Sequence, residues 1–335
     1  MNKKNKKLTE IIGSFSKKKV IVWGDIILDE YLYGTTRRIS REAPVLILNY
    51  KKKEYALGGA GNSLLNLRAL GAEPIPVGVI GRDPAGDKVL NILKNHRIPT
   101  QFIIKSQKFP TPTKSRILAG EETARKQQVL RIDHEGKVPE ADFIHTKILN
   151  SLAELSDHAQ ALLISDYNYF VVKEDIYKKV LPRFRKANLP ITLDSRFRLL
   201  NFKGVTVSTP NESEVEEALK LEFHNDEDLI NKAGRYLLKQ TDAEAILITR
   251  GSRGMVLFER RKSPWAIPVH GTKDIVDVTG AGDTVICVFS LALACGSSFR
   301  ESARLANHAG SVVVMKKGTA TVTPDELKSS ILSEN

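Results

Sequence analysis

The sequence predicts an α/β architecture: a mostly parallel sheet with helices on both faces, plus a small antiparallel β excursion. Three observations carry this. Short apolar runs alternate with amphipathic helical stretches along most of the 335 residues. Several of those runs end in an acid or a glycine, as strands do beside a ligand crevice in open parallel sheets. Two glycine-rich segments, Gly58–Asn62 and Gly280–Asp283, stand directly before helical patterns.

In chain order, residues 1–19 carry Lys3, Lys4, Lys6, Lys7, Lys17, Lys18 and Lys19 against Glu10 alone, and read as a flexible leader. Val20-Ile21-Val22-Trp23 is a buried strand that ends in Gly24-Asp25. Residues 30–57 alternate polar and apolar around turn signals and read as antiparallel strands. Gly58-Gly59-Ala60-Gly61-Asn62 opens a helix with Leu64, Leu65, Leu67 and Leu70 along one side, and Gly71 stops it. Strands follow at 75–80, 161–165, 190–193, 205–208 and 245–249, and helices at 84–96, 139–155, 172–187, 211–220 and 226–240. Residues 113–119 and 127–133 form a second antiparallel piece, so a β lid is expected from about 30–57 and 108–133 over a single domain spanning 20–335.

Composition excludes several classes. With 51 Lys+Arg against 39 Asp+Glu, the net charge is +12, and half of that lies on the leader. The rest is spread without an interleaved aromatic stripe, so no nucleic-acid partner is expected and a basic surface suits an anionic small substrate. The longest uncharged run, Thr284 to Phe299, is too short and mixed to span a bilayer, and no signal-peptide core follows the lysines. Cys287 and Cys295 lie in an apolar helical pattern and read as packing residues of a reducing compartment, so a cytoplasmic location is expected. No P-loop, dinucleotide fingerprint, zinc spacing or nucleophile elbow occurs.

The chemistry therefore rests on Asp277-Val278-Thr279-Gly280-Ala281-Gly282-Asp283-Thr284, followed by an apolar helix. Small residues at a helix start let backbone N–H groups converge on an anion. An acid inside such an anion hole makes sense if it takes a proton from a hydroxyl attacking a phosphoryl group. The bare alternative is an N-cap aspartate after a glycine turn.

This segment resembles the C-terminal signature of the PfkB/ribokinase family of sugar kinases. Gly58-Gly59-Ala60-Gly61-Asn62 with Asn66, Leu70 and Gly71 resembles the family's other signature, about two hundred residues earlier. Thr209-Pro210-Asn211-Glu212-Ser213-Glu214 is similar to its N-x-x-E segment. Gly24-Asp25-Ile26-Ile27-Leu28-Asp29-Glu30-Tyr31 and Arg38-Ile39-Ser40-Arg41-Glu42-Ala43-Pro44-Val45 narrow the resemblance to heptose 7-phosphate kinases. Ser165-Asp166-Tyr167, Leu130-Arg131-Ile132-Asp133 and Asp194-Ser195-Arg196 fit the same subgroup. One departure stands out: Asn168-Tyr169-Phe170 occupies the place where many relatives put a lysine and a glycine.

The resemblance implies a ribokinase-like α/β/α sandwich that transfers the ATP γ-phosphoryl group to the anomeric hydroxyl of D-glycero-β-D-manno-heptose 7-phosphate. The product would be the 1,7-bisphosphate, on the way to ADP-heptose for lipopolysaccharide core. It implies Asp283 as the base, ionised at neutral pH, with Gly280, Ala281 and Gly282 around the phosphates. Asn211 and Glu214 would organise Mg²⁺ and the ATP phosphates, Glu214 through water; the plainer alternative is that they merely cap the 211–220 helix. Thr249, Gly251, Gly254 and Asn307 would face the nucleotide. Asp25, Gly58, Gly59 and Asn62 would contact the sugar. The 7-phosphate would take one or two of Arg38, Arg41, Lys114, Arg116, Arg131 and Arg196, with Asp133 beside them. A monovalent cation is an optional addition to ATP and Mg²⁺, and a homodimer through the lid is expected by analogy. Some of these relatives carry a C-terminal nucleotidyltransferase domain; this chain ends shortly after the Pro324 helix, so a kinase without one is expected. Two alternatives remain: a kinase of the same family acting on another sugar, sugar phosphate or nucleoside, and a non-catalytic regulatory or nucleic-acid-binding protein.

Overall fold

A computed structural model describes residues 3–120, 126–139, 142–270 and 275–333. The helices are α1 (Lys3–Gly13), α2 (Ala60–Ala69), α3 (Pro84–Asn95), α4 (Asp142–Leu155), α5 (Glu174–Lys186), α6 (Glu212–Leu219), α7 (Glu227–Thr241), α8 (Ala281–Ala294), α9 (Phe299–Val313) and α10 (Pro324–Leu332). The strands are β1 (Lys19–Gly24), β2 (Ile26–Ile39), β3 (Leu46–Gly59), β4 (Glu73–Gly81), β5 (Ile103–Ser106), β6 (Thr113–Gly120), β7 (Gln127–His134), β8 (Ala161–Asp166), β9 (Ile191–Ser195), β10 (Val207–Ser208), β11 (Ala245–Thr249), β12 (Met255–Glu259) and β13 (Trp265–Ile267).

Nine strands form one sheet in the order β13-β12-β11-β10-β9-β8-β1-β4-β5. It is parallel from β11 to β5, and β12 and β13 add antiparallel at one edge. The central strands are apolar on both faces, because helices cover both. Along β1, Ile21 and Trp23 enter a cluster with α4, α5 and α7. Val20 and Val22 enter the opposite cluster with α2, α3 and α8, as the two-residue period of a strand requires. The sandwich places its connecting loops at the carboxyl end of the sheet, where the acids are.

Four strands form the second sheet, in the order β3-β2-β6-β7. Its two hairpins, β2–β3 and β6–β7, are antiparallel; they are joined to each other by a parallel pairing of β2 with β6. The first of its strands begins at Ile26, only two residues after β1 ends, so residues beside Asp25 pass directly from core to lid.

The leader is the main correction. Residues 3–13 are helical, not flexible. Leu8, Ile11, Ile12 and Phe15 recur at helical spacing and are buried in the same cluster as Leu327 and Ile331 of α10. Asn5 Nδ2 donates to the Ile331 carbonyl at 3.2 Å, and Lys7 pairs with Glu301 of α9 at 2.6 Å. Lys4, Lys6 and Lys7 occupy the outer face of a docked helix. Cys287 is buried and Cys295 half-buried, both as free thiols. Among the described residues, no helix is long and apolar enough to cross a membrane.

Candidate active site

The carboxyl ends of β1, β8, β9 and β11 bring Asp25, Asp166, Asp194 and Thr249 to one side of the sheet, and the N-terminus of α8 points into the same region. Asp283, in the first turn of that helix, is buried. Its Oδ2 accepts from Asn62 Nδ2 at 2.7 Å and its Oδ1 from the Tyr167 hydroxyl at 3.4 Å. Burial, and next the Asp194 carboxylate, push its pKa up to about 8, against these two hydrogen bonds that lower it. Free aspartate is ionised at neutral pH; burial beside a second acid disfavours that form here.

Gly280, the N-cap of α8, has φ +77°, and a Cβ there would lie 2.5 Å from Asn62 Nδ2. Glycine is what lets the Asn62 amide reach Asp283. A Cβ on Gly282 would meet nothing within 4 Å, so that position opens onto free space. The Ala281 N–H, expected in the anion hole, donates to the Val278 carbonyl at 3.2 Å. The hole thus falls to the next N–H groups of the helix start, which lack intrahelical acceptors.

Asp25 and Asn62 are expected at the sugar; the structure also gives both side chains partners within the protein. The Asp25 carboxylate accepts the backbone N–H groups of Tyr167 (2.7 Å), Tyr169 (3.2 Å) and Val171 (3.2 Å). It holds the loop after β8, and burial followed by the Asp166 carboxylate raises its pKa to about 7. Gly59, with φ +56°, brings the backbone close to the Asp25 carbonyl, where a Cβ would stand 2.6 Å away. Gly58, one residue before the end of β3, lies against the Asp29 carboxylate. Asp166 is in turn bonded by Arg198 and by the Ser195 hydroxyl at 2.7 Å.

On the other side of Asp283 lies an apolar pocket lined by Thr249, Gly251, Gly254, Ala281, Gly282 and Asn307, together with Val269, Val278 and Val285. The four residues expected at the nucleotide thus share one pocket with the α8 start. Asn307 Nδ2 donates to the Pro268 carbonyl at 2.9 Å. Asn211 and Glu214 form a reciprocal capping box at the start of α6, each side chain bonding the other's backbone N–H at 2.9 Å. That start is tied to the pocket by the Thr249 N–H, which donates to the Pro210 carbonyl at 2.9 Å. Burial, then the Asp194 carboxylate, raise the Glu214 pKa; burial, then Asp166, raise that of Asp194. A cation would relieve this crowding of acids, so the donor set fits one. Among the described residues no three His, Cys, Asp or Glu side chains converge on a point, so a divalent ion here would complete its shell with water and phosphate.

The cations sort clearly. Lys114, Arg131, Lys137 and Arg196 line one cavity of about 540 Å³ with Tyr167, Asn168, Tyr169 and Asp133. Arg131 and Asp133 pair with each other there at 2.9 Å. Burial, then the Arg196 charge, lower the Lys114 pKa. Arg116 instead bonds the buried Asp29 and faces Tyr31. Arg38 pairs with Ile47 near the outer end of β2, and neither it nor Arg41 lines this cavity. Sequence reasoning missed Lys137, which no motif marks. Its Nζ lies 4.8 Å over the Phe170 ring. Phe170 occupies the left-handed region at φ +67°, a conformation that favours glycine. Tyr169 donates its hydroxyl to Glu135 at 2.6 Å, while Lys137 brings a cation to the cavity from the segment after β7.

A family model described as pfkB family carbohydrate kinase matches residues 17–326. The chain is 37% identical, over 97% of its length, to the bifunctional protein HldE of Haemophilus influenzae, and 37% identical over 93% to that of Geobacter sulfurreducens. It spans 66% and 62% of those proteins, so about two thirds of the length of the curated relatives it matches. Two solved structures share the fold. The Arabidopsis thaliana ribokinase complexed with ribose and ATP superposes with a TM-score of 0.72 at 20% identity, covering 94% of this chain and 99% of that one. Escherichia coli phosphofructokinase-2 in complex with fructose-6-phosphate gives 0.75 at 16%, covering 94% and 98%.

Proposed function

The chain belongs to the pfkB family of carbohydrate kinases, and from that premise we propose that it phosphorylates the anomeric C1 hydroxyl of D-glycero-β-D-manno-heptose 7-phosphate with ATP. The observation that carries the reading is the placing of Tyr167. Its hydroxyl reaches Asp283 while its ring walls the cavity of Lys114, Arg131, Lys137 and Arg196. A substrate lying along that wall would present a hydroxyl to the base at one end and a phosphate to the cations at the other. Four cations lining one cavity suit an acceptor that is already phosphorylated.

In the reaction, the C1 oxygen forms a bond to the γ-phosphorus as the bond from that phosphorus to the bridging oxygen of ADP breaks. The proton of the C1 hydroxyl passes to the Asp283 carboxylate late in a loose transition state. The N–H groups at the start of α8 face the phosphoryl oxygens, and such preorganised donors are worth roughly 10²–10³ in rate each. Magnesium bound with the nucleotide would neutralise phosphate charge, with Glu214 the carboxylate that meets its water shell. The apolar pocket of Val269, Val278, Val285 and Asn307 takes the adenine ring. The second sheet closes over the sugar and keeps water from the γ-phosphate. Ile39, Leu46, Tyr50, Leu130 and Ile132 stand exposed on that sheet, which supports a homodimer formed through it.

The test is ATP consumption with heptose 7-phosphate beside fructose 6-phosphate, ribose and adenosine, with the product read by phosphorus NMR. Turnover on the heptose alone with a new C1 phosphate supports the proposal. Turnover on another acceptor keeps the kinase chemistry and overturns the substrate. Salt-sensitive nucleic-acid binding without turnover would favour a regulatory protein.

A further inference from the structure

Asn62, Asn66 and Thr284 are all fully buried, and they form one hydrogen-bonded line that ends on Asp283. Asn66 Nδ2 donates to the Asn62 backbone carbonyl at 3.1 Å and to the Asn62 side-chain Oδ1 at 3.2 Å. The Thr284 hydroxyl donates to Asn66 Oδ1 at 2.9 Å, and its oxygen also lies 3.3 Å from the Gly280 carbonyl. Asn62 Nδ2 then meets Asp283 Oδ2 at 2.7 Å.

The order of donors in this line is forced. A backbone carbonyl only accepts, so the end of Asn66 that faces the Asn62 carbonyl must be its NH₂ group. That NH₂ also faces one end of the Asn62 amide, which must therefore be the oxygen. The remaining end of Asn62, the one against Asp283, is then N–H. Turning Asn62 over would set two NH₂ groups against each other and a carbonyl oxygen against the carboxylate. The Thr284 hydroxyl satisfies the far end of Asn66 and removes its freedom to rotate. Thr284 follows Asp283 directly on α8, so the line leaves the helix at one residue and returns to it at the next.

We infer that Asn66 and Thr284 are positioning residues for phosphoryl transfer, which fix the Asn62 amide with its N–H toward the Asp283 carboxylate. The inference rests on Asp283 being the base of the proposed reaction, but its geometry does not depend on the acceptor. Neither residue touches substrate; both act through Asn62. Because an N–H in this place favours the ionised carboxylate, loosening the line should make Asp283 harder to ionise.

The test compares Thr284→Val, Thr284→Ser and Asn66→Leu in the full chain. The first readout needs no substrate: a carbon-13 NMR titration of the Asp283 carboxyl, whose other ionisable neighbours are Asp194, Tyr167, Asp29 and Cys287. Thr284→Val should move the midpoint up by about one pH unit, and Thr284→Ser should leave it in place. With the acceptor that supports turnover, Thr284→Val should lower kcat about 10-fold or more with both KM values within about twofold, and Thr284→Ser should restore it. Asn66→Leu should do more than Thr284→Val; if it fails to fold, the threonine pair still decides. An unmoved midpoint in Thr284→Val overturns the inference, as does a kcat loss that Thr284→Ser does not restore. Failure of every acceptor would sink the proposed function while the titration still judges the line of hydrogen bonds.

Discussion

Asn62 and Asp283, 221 positions apart, meet at 2.7 Å across the starts of α2 and α8. The two glycine-rich segments are therefore one device: the first helix supplies the donor that holds the second helix's carboxylate. Removing that carboxylate tests the base directly. Asp283→Asn should lower kcat roughly 10²–10⁴-fold while nucleotide affinity, measured by calorimetry, stays near that of the parent. Near-normal turnover would remove Asp283 from the role.

The same carboxyl sets a pH dependence. It serves as base only when ionised, and in the unliganded protein its pKa is about 8. The kcat/KM of the free enzyme should rise with pH through that region and level off above it. Stability should run the other way. The folded chain holds this proton up to about pH 8, whereas the unfolded chain releases it near the ordinary aspartate value of 3.8. Between those values the folded state binds more protons, so the contribution of Asp283 to stability falls as pH rises. Melting curves of Asp283→Asn against the parent should show an advantage for the variant that grows from pH 5 to pH 9.

Gly280 and Gly282 should respond differently to alanine. At Gly280 the added carbon meets the Asn62 amide at 2.5 Å on a backbone of φ +77°, so the amide must leave Asp283. Gly280→Ala should cost about 1–3 kcal/mol of stability and most of kcat. At Gly282 the added carbon enters open space beside the nucleotide pocket. Gly282→Ala should melt like the parent yet raise KM for ATP, since the methyl would occupy room that a phosphate needs. Equal melting losses in both variants would contradict this account.

The cation wall gives a contrast between two arginines. Arg196 lines the cavity, and Arg38 lies on the outer part of the second sheet. A charged hydrogen bond to phosphate is worth about 1.5–3 kcal/mol. Arg196→Met should therefore raise KM for the phosphorylated acceptor about 10- to 100-fold and leave KM for ATP within about threefold. Arg38→Met should leave both unchanged. Steady-state kinetics with each substrate varied in turn would separate the two.

Much of this architecture is legible in local pattern. The alternation of apolar runs and helices specifies the parallel sheet, and the strand-end acids mark its working side. What local pattern cannot carry is who a polar side chain bonds across the fold. Asp25 reads as a ligand by position, yet three N–H groups of a loop some 140 residues away claim its oxygens. Asn62 reads as a sugar contact, and its partner is two hundred residues distant. Lys137 carries no motif, because its place in the cavity depends on the turn that Tyr169 and Phe170 impose. Short late strands such as β12 and β13 escape because they pair antiparallel at the edge.

The leader shows the same limit in a different form, and it yields the last prediction. Seven lysines dominate residues 1–19 and suggest a solvated tail. Leu8, Ile11, Ile12 and Phe15 nevertheless share one helical face, and a charged outer face costs a docked helix nothing. Burying an aliphatic or aromatic side chain fully is worth about 1.5–3 kcal/mol as an upper estimate. Deleting residues 1–15 removes four such groups and uncovers Leu327 and Ile331 beneath them. The truncated chain should lose several kcal/mol and melt at least about 5 °C lower. Replacing the exposed Lys6 by glutamine should leave the melting temperature unchanged, because its side chain is not buried. A truncated chain that melts with the parent would show that α1 is no part of the folding unit. A loss as large in the glutamine variant would mean that charge, and not the apolar face, holds the helix in place.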